Sequence, residues 1–424
     1  MNRAVYTLAL RALSPLLWLW MARRARRAGG EWGVFSAERF GRAPASDGPA
    51  QSRPVWVHAV SLGETRAAQP LVRALLDRGL PVLLTHMTAT GRAEGGRLYA
   101  DAIASGQLRQ AWLPYDFPGA VRGFFETHAP RCGLLIEREI WPNLLAGARA
   151  ARVPMALVSA RFSESSLRQA RRMGKVMREA LSGLDQVLAQ TAQDAGRLSE
   201  AGAADVVVTG NLKFDLALPA AQVDAGRAWR QRLGRPVVAV ASTREGEDAP
   251  FIEAISRAAA EPGAPLFLLI PRHPQRFEEA AGRLAAAGLR FARRSAGQEP
   301  EAGTAVLLGD TLGEMAFYYA ASDVAIVAGS FAPLGGQNLI EACAAGVPVI
   351  VGPHTFNFQQ AAADAIAAGA ARREPDPAQA VGAALRWLRD DAARAGAGRA
   401  ARRWFDTHAG ATARTLQALA PWLE

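Results

Sequence analysis

From Val55 onward the chain repeats one pattern: an apolar run of strand length, a turn, then an amphipathic stretch rich in Ala and Arg. The runs are VWVHAV (55–60), PVLLTHM (81–87), RCGLLI (131–136), VPMALVSA (153–160), DQVLAQ (185–190) and DVVVTG (205–210). Each is continuous rather than alternating, as strands buried on both faces are. Alternation with helical segments predicts a parallel α/β sheet. Residues 211–235 have helix-like stretches and Pro219 but no strand run, and read as an interdomain connection. The cycle restarts with PVVAVAS (236–242), APLFLLIP (264–271), TAVLLGD (304–310), SDVAIVAGS (322–330) and GVPVIVG (346–352), and 375–422 reads as helical. The predicted fold class is α/β, with two doubly wound Rossmann-like halves, 31–210 and 236–424, after an N-terminal segment, 1–30. Ligands of such sheets bind beyond the carboxyl ends of the strands, so chemistry is sought at the strand-to-helix turns and in the cleft between the halves.

With 50% hydrophobic and 21% charged residues, the 424-residue chain is neither disordered nor collagen-like. Its net charge of +10 suits an acidic partner: phosphate, anionic lipid or nucleic acid. Only Lys175 and Lys213 are lysines among 49 basic residues, so each marks a position where a compact ammonium replaces the planar guanidinium used everywhere else. Cys132 and Cys343 stand far apart in apolar stretches and read as buried thiols of a reducing compartment. No GxGxxG follows a strand, and no GxxxxGK[ST] or HExxH occurs, so a dinucleotide fingerprint, a P-loop and a zinc-protease site have no support.

Residues 4–22 are strongly apolar but interrupted by Arg11 and Pro15, and Arg23, Arg24, Arg26 and Arg27 follow at once. A secretory signal has the reverse charge order, so cleavage is not expected. Trp18 and Trp20 beside the arginines fit a helix that lies in, or barely crosses, an anionic leaflet, with the rest of the chain cytoplasmic. The alternative is a first helix packed on the globular body.

At the turns, Ser61-Leu62-Gly63-Glu64 has capping-box spacing, which alone accounts for Glu64, yet its place after a strand equally suits a general base. Thr311-Leu312-Gly313-Glu314 and Ser242-Thr243-Arg244-Glu245 repeat the theme. Glu137 and Glu139 follow a hydrophobic strand and would share one face if it continued; they form either a salt-bridge cluster or cleft carboxylates. Arg272 and His273, held between prolines at another strand end, can clamp a phosphate. The run from Gly329 through Gly335 and Gly336 to Asn338 and Glu341 is a glycine-rich loop opening a helix. Such a loop offers free backbone N–H groups and a positive dipole end to an anion, and Glu341 could accept from two ribose hydroxyls. The other reading is an ordinary glycine loop.

Taken in order, HAVSLGET, MTATGR, LPYDFP, the E-x-E-I-W-P-N segment at 137–143, NLKFD, IPRHPQRF, LGDTLGEM, GSFAPLGGQN and GPHTFNF resemble the 3-deoxy-D-manno-octulosonic acid (Kdo) transferases of Gram-negative bacteria. The resemblance runs from the N-terminal segment to about Phe358. It implies the GT-B glycosyltransferase architecture and transfer of Kdo from CMP-Kdo to the 6'-hydroxyl of the lipid A precursor, lipid IVA. It also implies a place at the cytoplasmic face of the inner membrane, against its anionic surface. No metal or other cofactor and no nucleic acid is implied. Residue by residue it makes Glu64 the base, and Glu137 and Lys213 transition-state stabilisers. The cytidine nucleotide falls to Arg272 and His273, to Leu312, Gly313 and Glu314, and to Asn338, Leu339, Ile340 and Glu341. Two positions depart from the family pattern: Arg138 stands where Ser or Thr is usual, and Gln337 where His is usual. Two other readings remain open, a cell-envelope GT-B transferase using a UDP-sugar and a membrane-tethered two-lobed binding protein.

Overall fold

The computed structural model describes residues 1–27, 33–42 and 53–424; the expected 30/31 boundary and the side chain of Arg24 lie outside the described residues. Seven parallel strands form the first sheet: β1 (Val55–His58), β2 (Val82–His86), β3 (Leu108–Trp112), β4 (Cys132–Ile136), β5 (Met155–Ala160), β6 (Gln186–Ala189) and β7 (Val206–Val208). Their order is β3-β2-β1-β4-β5-β6-β7, so the winding reverses between β1 and β4. The second sheet is again parallel: β8 (Val237–Thr243), β9 (Leu266–Pro271), β10 (Phe291–Arg293), β11 (Val306–Leu308), β12 (Val324–Val327), β13 (Val349–Val351) and β14 (Ala371–Arg373). Its order is β10-β11-β9-β8-β12-β13-β14, with β8 and β12 at the reversal. A doubly wound sheet binds ligands at such switch points.

Apart from β7, an edge whose Val207 and Val208 are exposed, the continuous apolar runs have the cause expected of them. Val55 and Val57 point into one core and Trp56 into another; Leu134 and Ile136 join the first and Leu135 the second, so helices cover both faces of the sheet. Three strands carry no run visible in the sequence: β3, β10 and β14. All are edge strands. An edge leaves side chains in solvent, and β3 accordingly reads LRQAW with Arg109 exposed and Gln110 half-buried, while β10 and β14 carry arginines.

Two units divide the chain, Met1–Leu216 with Ala409–Glu424, and Ala217–His408. The boundary between Leu216 and Ala217 falls within the expected 211–235 connection, whose two ends are structured. Leu212–Asp215 form a 3-10 turn of the first unit, and the helix Ala220–Leu233 belongs to the second, burying Trp229. The last residues, expected to stay with the second half, fold onto the first. Asp215 holds them there: its carboxylate accepts from Gly410 N (2.5 Å) and from Thr412 N at the start of the helix Ala411–Ala418. Ala411, Leu416, Leu419 and Leu423 then join the core under β1 and β4.

The helix Arg3–Arg27 lies along the first unit. Near its start Tyr6 Oη donates to Asp116 (2.9 Å), and Thr7 exchanges hydrogen bonds with Asn143. Near its end Trp18 stacks edge-on against Phe40 and Phe117, and Met21 is buried beside Val34 and Tyr115. Ser14, between these anchors, is buried as well. The other face leaves Leu8 69%, Leu13 59% and Leu16 67% exposed. Arg3–Arg23 is long and apolar enough to cross a membrane by length and composition. Cys132 and Cys343 are buried free thiols, each pushed up to about 12 by burial.

Candidate active site

The residues singled out by sequence form two groups, one on each unit. On the first unit they gather at the β1/β4 switch point. Glu64 lies in the first turn of the helix Leu62–Ala67 after β1, where its Oε2 accepts from Val60 N at 2.6 Å. This is half of a capping box, because the Ser61 hydroxyl makes no cap bond. Burial pushes the Glu64 carboxyl up to about 8, and the charges of Glu139 and Glu137 add to the effect. A carboxylate so raised is a proton acceptor matched to near-neutral chemistry.

Glu137 does not continue the strand. Directly after β4 it turns to φ +63°, a left-handed conformation that costs a non-glycine residue on the order of 1 kcal/mol or more. This turn parts the two carboxylates expected on one face. Glu137 Oε1 meets Lys213 Nζ at 2.6 Å, whereas Glu139 Oε2 accepts from Trp141 Nε1 at 2.8 Å and lies 3.6 Å from His58 Nε2. Burial alone would raise Glu137, yet the Lys213 ammonium, with Arg161 and Arg138 adding positive potential, holds it below the ordinary carboxylate range. Arg138, the departure from the family pattern, thus acts through charge where a hydroxyl is usual. Lys213 is placed by its own turn: Asn211 Oδ1 accepts from Lys213 N, and Leu212 and Phe214 are buried on either side. Ser159, also left-handed at φ +51°, accepts from Leu212 N on its Oγ at 3.4 Å and so supports this turn from β5.

On the second unit, Arg272 and the His273 side chain follow β9 and are half-buried. Burial, then the charges of Arg244 and Arg272, lower the His273 imidazole below its usual range, so it sits neutral in a positive field. Arg276, left unassigned by sequence, is the buried arginine of this segment. It pairs with Asp248 and donates to Thr243 O, fixing the loop that presents the other two. Glu314 is engaged by Arg294 (2.8 Å) and by Thr311 Oγ1 (2.5 Å), while Leu312 is 71% exposed and Gly313 takes φ +82°. Leu339 and Ile340 are core side chains that do not face a ligand. Asn338 Nδ2 donates to Glu341 Oε1 at 3.0 Å and its Oδ1 accepts from Ile340 N.

The expectation of free amides along the glycine loop needs correction. Gly329 N, Phe331 N and Ala332 N all donate to the carboxylate of Glu247, a buried residue passed over by sequence reasoning. The helix that follows, Ile340–Ala344, is one turn long, so its dipole is weak. Further along the loop, Gly336 N is taken as well, by Gly329 O at 2.7 Å.

A family model described as 3-deoxy-D-manno-octulosonic-acid transferase (kdotransferase) matches residues 36–216, and one described as glycosyl transferases group 1 matches 289–404. A 3-deoxy-D-manno-octulosonic acid transferase of Bordetella pertussis is 69% identical over 427 residues, covering 100% of both chains. The chain belongs to the 3-deoxy-D-manno-octulosonic acid transferase family. A Kdo transferase of Haemophilus influenzae is 34% identical over 336 residues, 76% of each chain. The UDP-GlcNAc 2-epimerase of Neisseria meningitidis bound to UDP-GlcNAc aligns with a TM-score of 0.60 over 87% of this chain and 100% of its own, at 14% identity, and so shows the fold alone. A member of the Kdo transferase family is a glycosyltransferase, and the two parallel sheets are its GT-B architecture.

A base at Glu64 works only when ionised, so if Glu64 has that role activity is expected to rise with pH through a midpoint near 8. Removing a neighbouring negative charge lowers that midpoint. Glu139→Gln is therefore expected to move the rising limb of the pH–rate profile to lower pH, and a limb that stays put or moves upward contradicts the coupling.

Proposed function

We propose that the chain transfers Kdo from CMP-Kdo to the 6'-hydroxyl of the lipid A precursor lipid IVA, with Glu64 as general base. In this reading the acceptor oxygen bonds to the anomeric carbon of Kdo as the bond from that carbon to the CMP phosphate breaks. The hydroxyl proton passes to Glu64, and the electron pair of the broken bond leaves on phosphate. Lys213, oriented by Glu137, offsets negative charge that develops on the donor. Arg272, with Arg244 beside it, and the Gly335–Asn338 segment hold the phosphate. Asn338 and Glu341 face the nucleoside. The observation that carries the reading is the gathering of Glu64, Glu137 and Lys213 at one switch point, in a chain 69% identical to a Kdo transferase along its whole length.

Mass spectrometry of the product formed from CMP-Kdo and lipid IVA tests it, and absence of Kdo addition would sink it. Competition between CMP and UDP for the free protein separates it from a UDP-sugar transferase. Transfer is read as metal-independent, so turnover in the presence of a chelator should match turnover without one.

The first helix completes the proposal. Its packed face, tied to the first unit at Tyr6 and Thr7 and again at Trp18 and Met21, argues against a perpendicular span. A span would draw those buried contacts into about 30 Å of hydrocarbon. Instead the exposed Leu8, Leu13 and Leu16 face dips into the cytoplasmic leaflet, and the arginines that follow meet anionic headgroups. Tags at the two chain ends should therefore be accessible from the same side of sealed inner-membrane vesicles; access from opposite sides means that the helix spans. Replacing Leu8 and Leu16 by Gln should release the protein from anionic vesicles.

A further inference from the structure

We propose that Glu247 is a positioning residue for the donor loop: an internal carboxylate that occupies the amides a phosphate would otherwise take, and so sets where the donor is held. The inference rests on the reading of the second unit as the CMP-Kdo site. Glu247 is 1% exposed and follows β8. Its Oε2 accepts from Arg244 N (2.9 Å) in its own loop and from Gly329 N (2.6 Å) after β12, and its Oε1 accepts from Phe331 N (2.9 Å) and Ala332 N (3.1 Å). Four backbone donors fill the lone-pair sites of one carboxylate. No arginine or lysine pairs with it among the described residues. The amides themselves stabilise the charge, as they do around a bound anion.

The two loops that Glu247 joins leave neighbouring strands at the reversal of the second sheet. The β8 side is tensioned in its own right, with Ser242 at φ +62° and a register shift against β9 between Ala241 and Thr243. On the β12 side, Gly336 N bonds back to Gly329 O at 2.7 Å, and Asn357 N bonds to Gly335 O at 2.9 Å. The placement of Gly335 to Asn338 thus depends on Gly329, and that of Gly329 depends on Glu247. Arg244, in the field that lowers His273, is held by the same carboxylate through its backbone. Glu247 therefore sets both sides of the proposed phosphate contact without touching the donor.

Glu247→Gln keeps the volume but turns an NH2 group toward backbone donors, breaking at least one bond of the set. The native chain is first tested for CMP binding by calorimetry; failure to bind overturns the donor reading itself. Given that binding, Glu247→Gln should raise the Kd for CMP and the KM for CMP-Kdo by about tenfold or more, the scale of a lost charge-assisted bond. The KM for acceptor and kcat at saturating donor should stay within about twofold. A role confined to stability would lower kcat through loss of folded enzyme and leave both donor constants unchanged, and that result overturns the proposal. Should Glu247→Gln not fold, Glu247→Asp, which keeps the charge but is too short to serve both loops, should show the same split. Failure of both variants to fold also overturns it.

Discussion

Glu64→Gln is expected to lower turnover by about 10²–10⁴-fold, the usual worth of a positioned general base, while leaving the protein folded. The fold survives because the Gln carbonyl oxygen can accept from Val60 N as the carboxylate does. The sign of the pH effect on stability adds a second check. With its folded pKa raised to about 8, Glu64 contributes stability that is present below its ordinary value and lost as pH rises through 8. The Gln side chain has no proton to lose, so thermal unfolding at pH 8 should show the variant no less stable than the native chain. Near-normal turnover by a folded Glu64→Gln protein would remove the base assignment and return Glu64 to its capping role.

Lys213→Met should be the most destabilising single change at the site. It leaves the Glu137 carboxylate, only 8% exposed, without its ammonium partner, and breaking a buried pair in this way costs about 3–5 kcal/mol. The double variant Glu137→Gln/Lys213→Met should recover most of that stability in denaturant unfolding and none of the activity, which separates the structural share of the pair from its chemical share. Lys213→Arg sharpens the test. The chain uses arginine at every basic position except Lys175 and Lys213. If a compact ammonium matters here, Lys213→Arg keeps the folded state but loses at least about tenfold in turnover, because the guanidinium cannot occupy a point-charge site beside Glu137. Native-like activity from Lys213→Arg would show that charge alone suffices.

The parallel architecture was readable from the sequence because a strand buried on both faces has to be apolar throughout. Ten of the strands announce themselves in this way, and β7 is apolar as well although it is an edge with Val207 and Val208 exposed. The three that do not, β3, β10 and β14, are edges, where one side of the backbone has no neighbouring strand and side chains reach water. The site residues were legible to a different degree. Glu64, Glu137 and Lys213 carry family motifs, but nothing in their spacing shows that Glu137 turns left-handed toward Lys213 while Glu139 turns to Trp141 and His58. The apolar run of the first helix suits a packed helix and a membrane-facing one alike; in the fold one face packs on the body and the other is bare.

Sequence by itself determined what burial and chemistry impose locally: the strand count of the sheet interiors, the order of the two halves, the family, and which residue types stand at the strand ends. Tertiary structure decided which of those residues meet. Asp215, in a motif read only for its lysine, anchors the last helices on the first unit. Glu247, an unremarked acid in a turn, takes three amides of a loop more than eighty residues away. Both act over separations that no local pattern records. A carboxylate is satisfied by whichever backbone donors the fold brings within hydrogen-bonding distance, and only the winding of the sheet determines which donors those are.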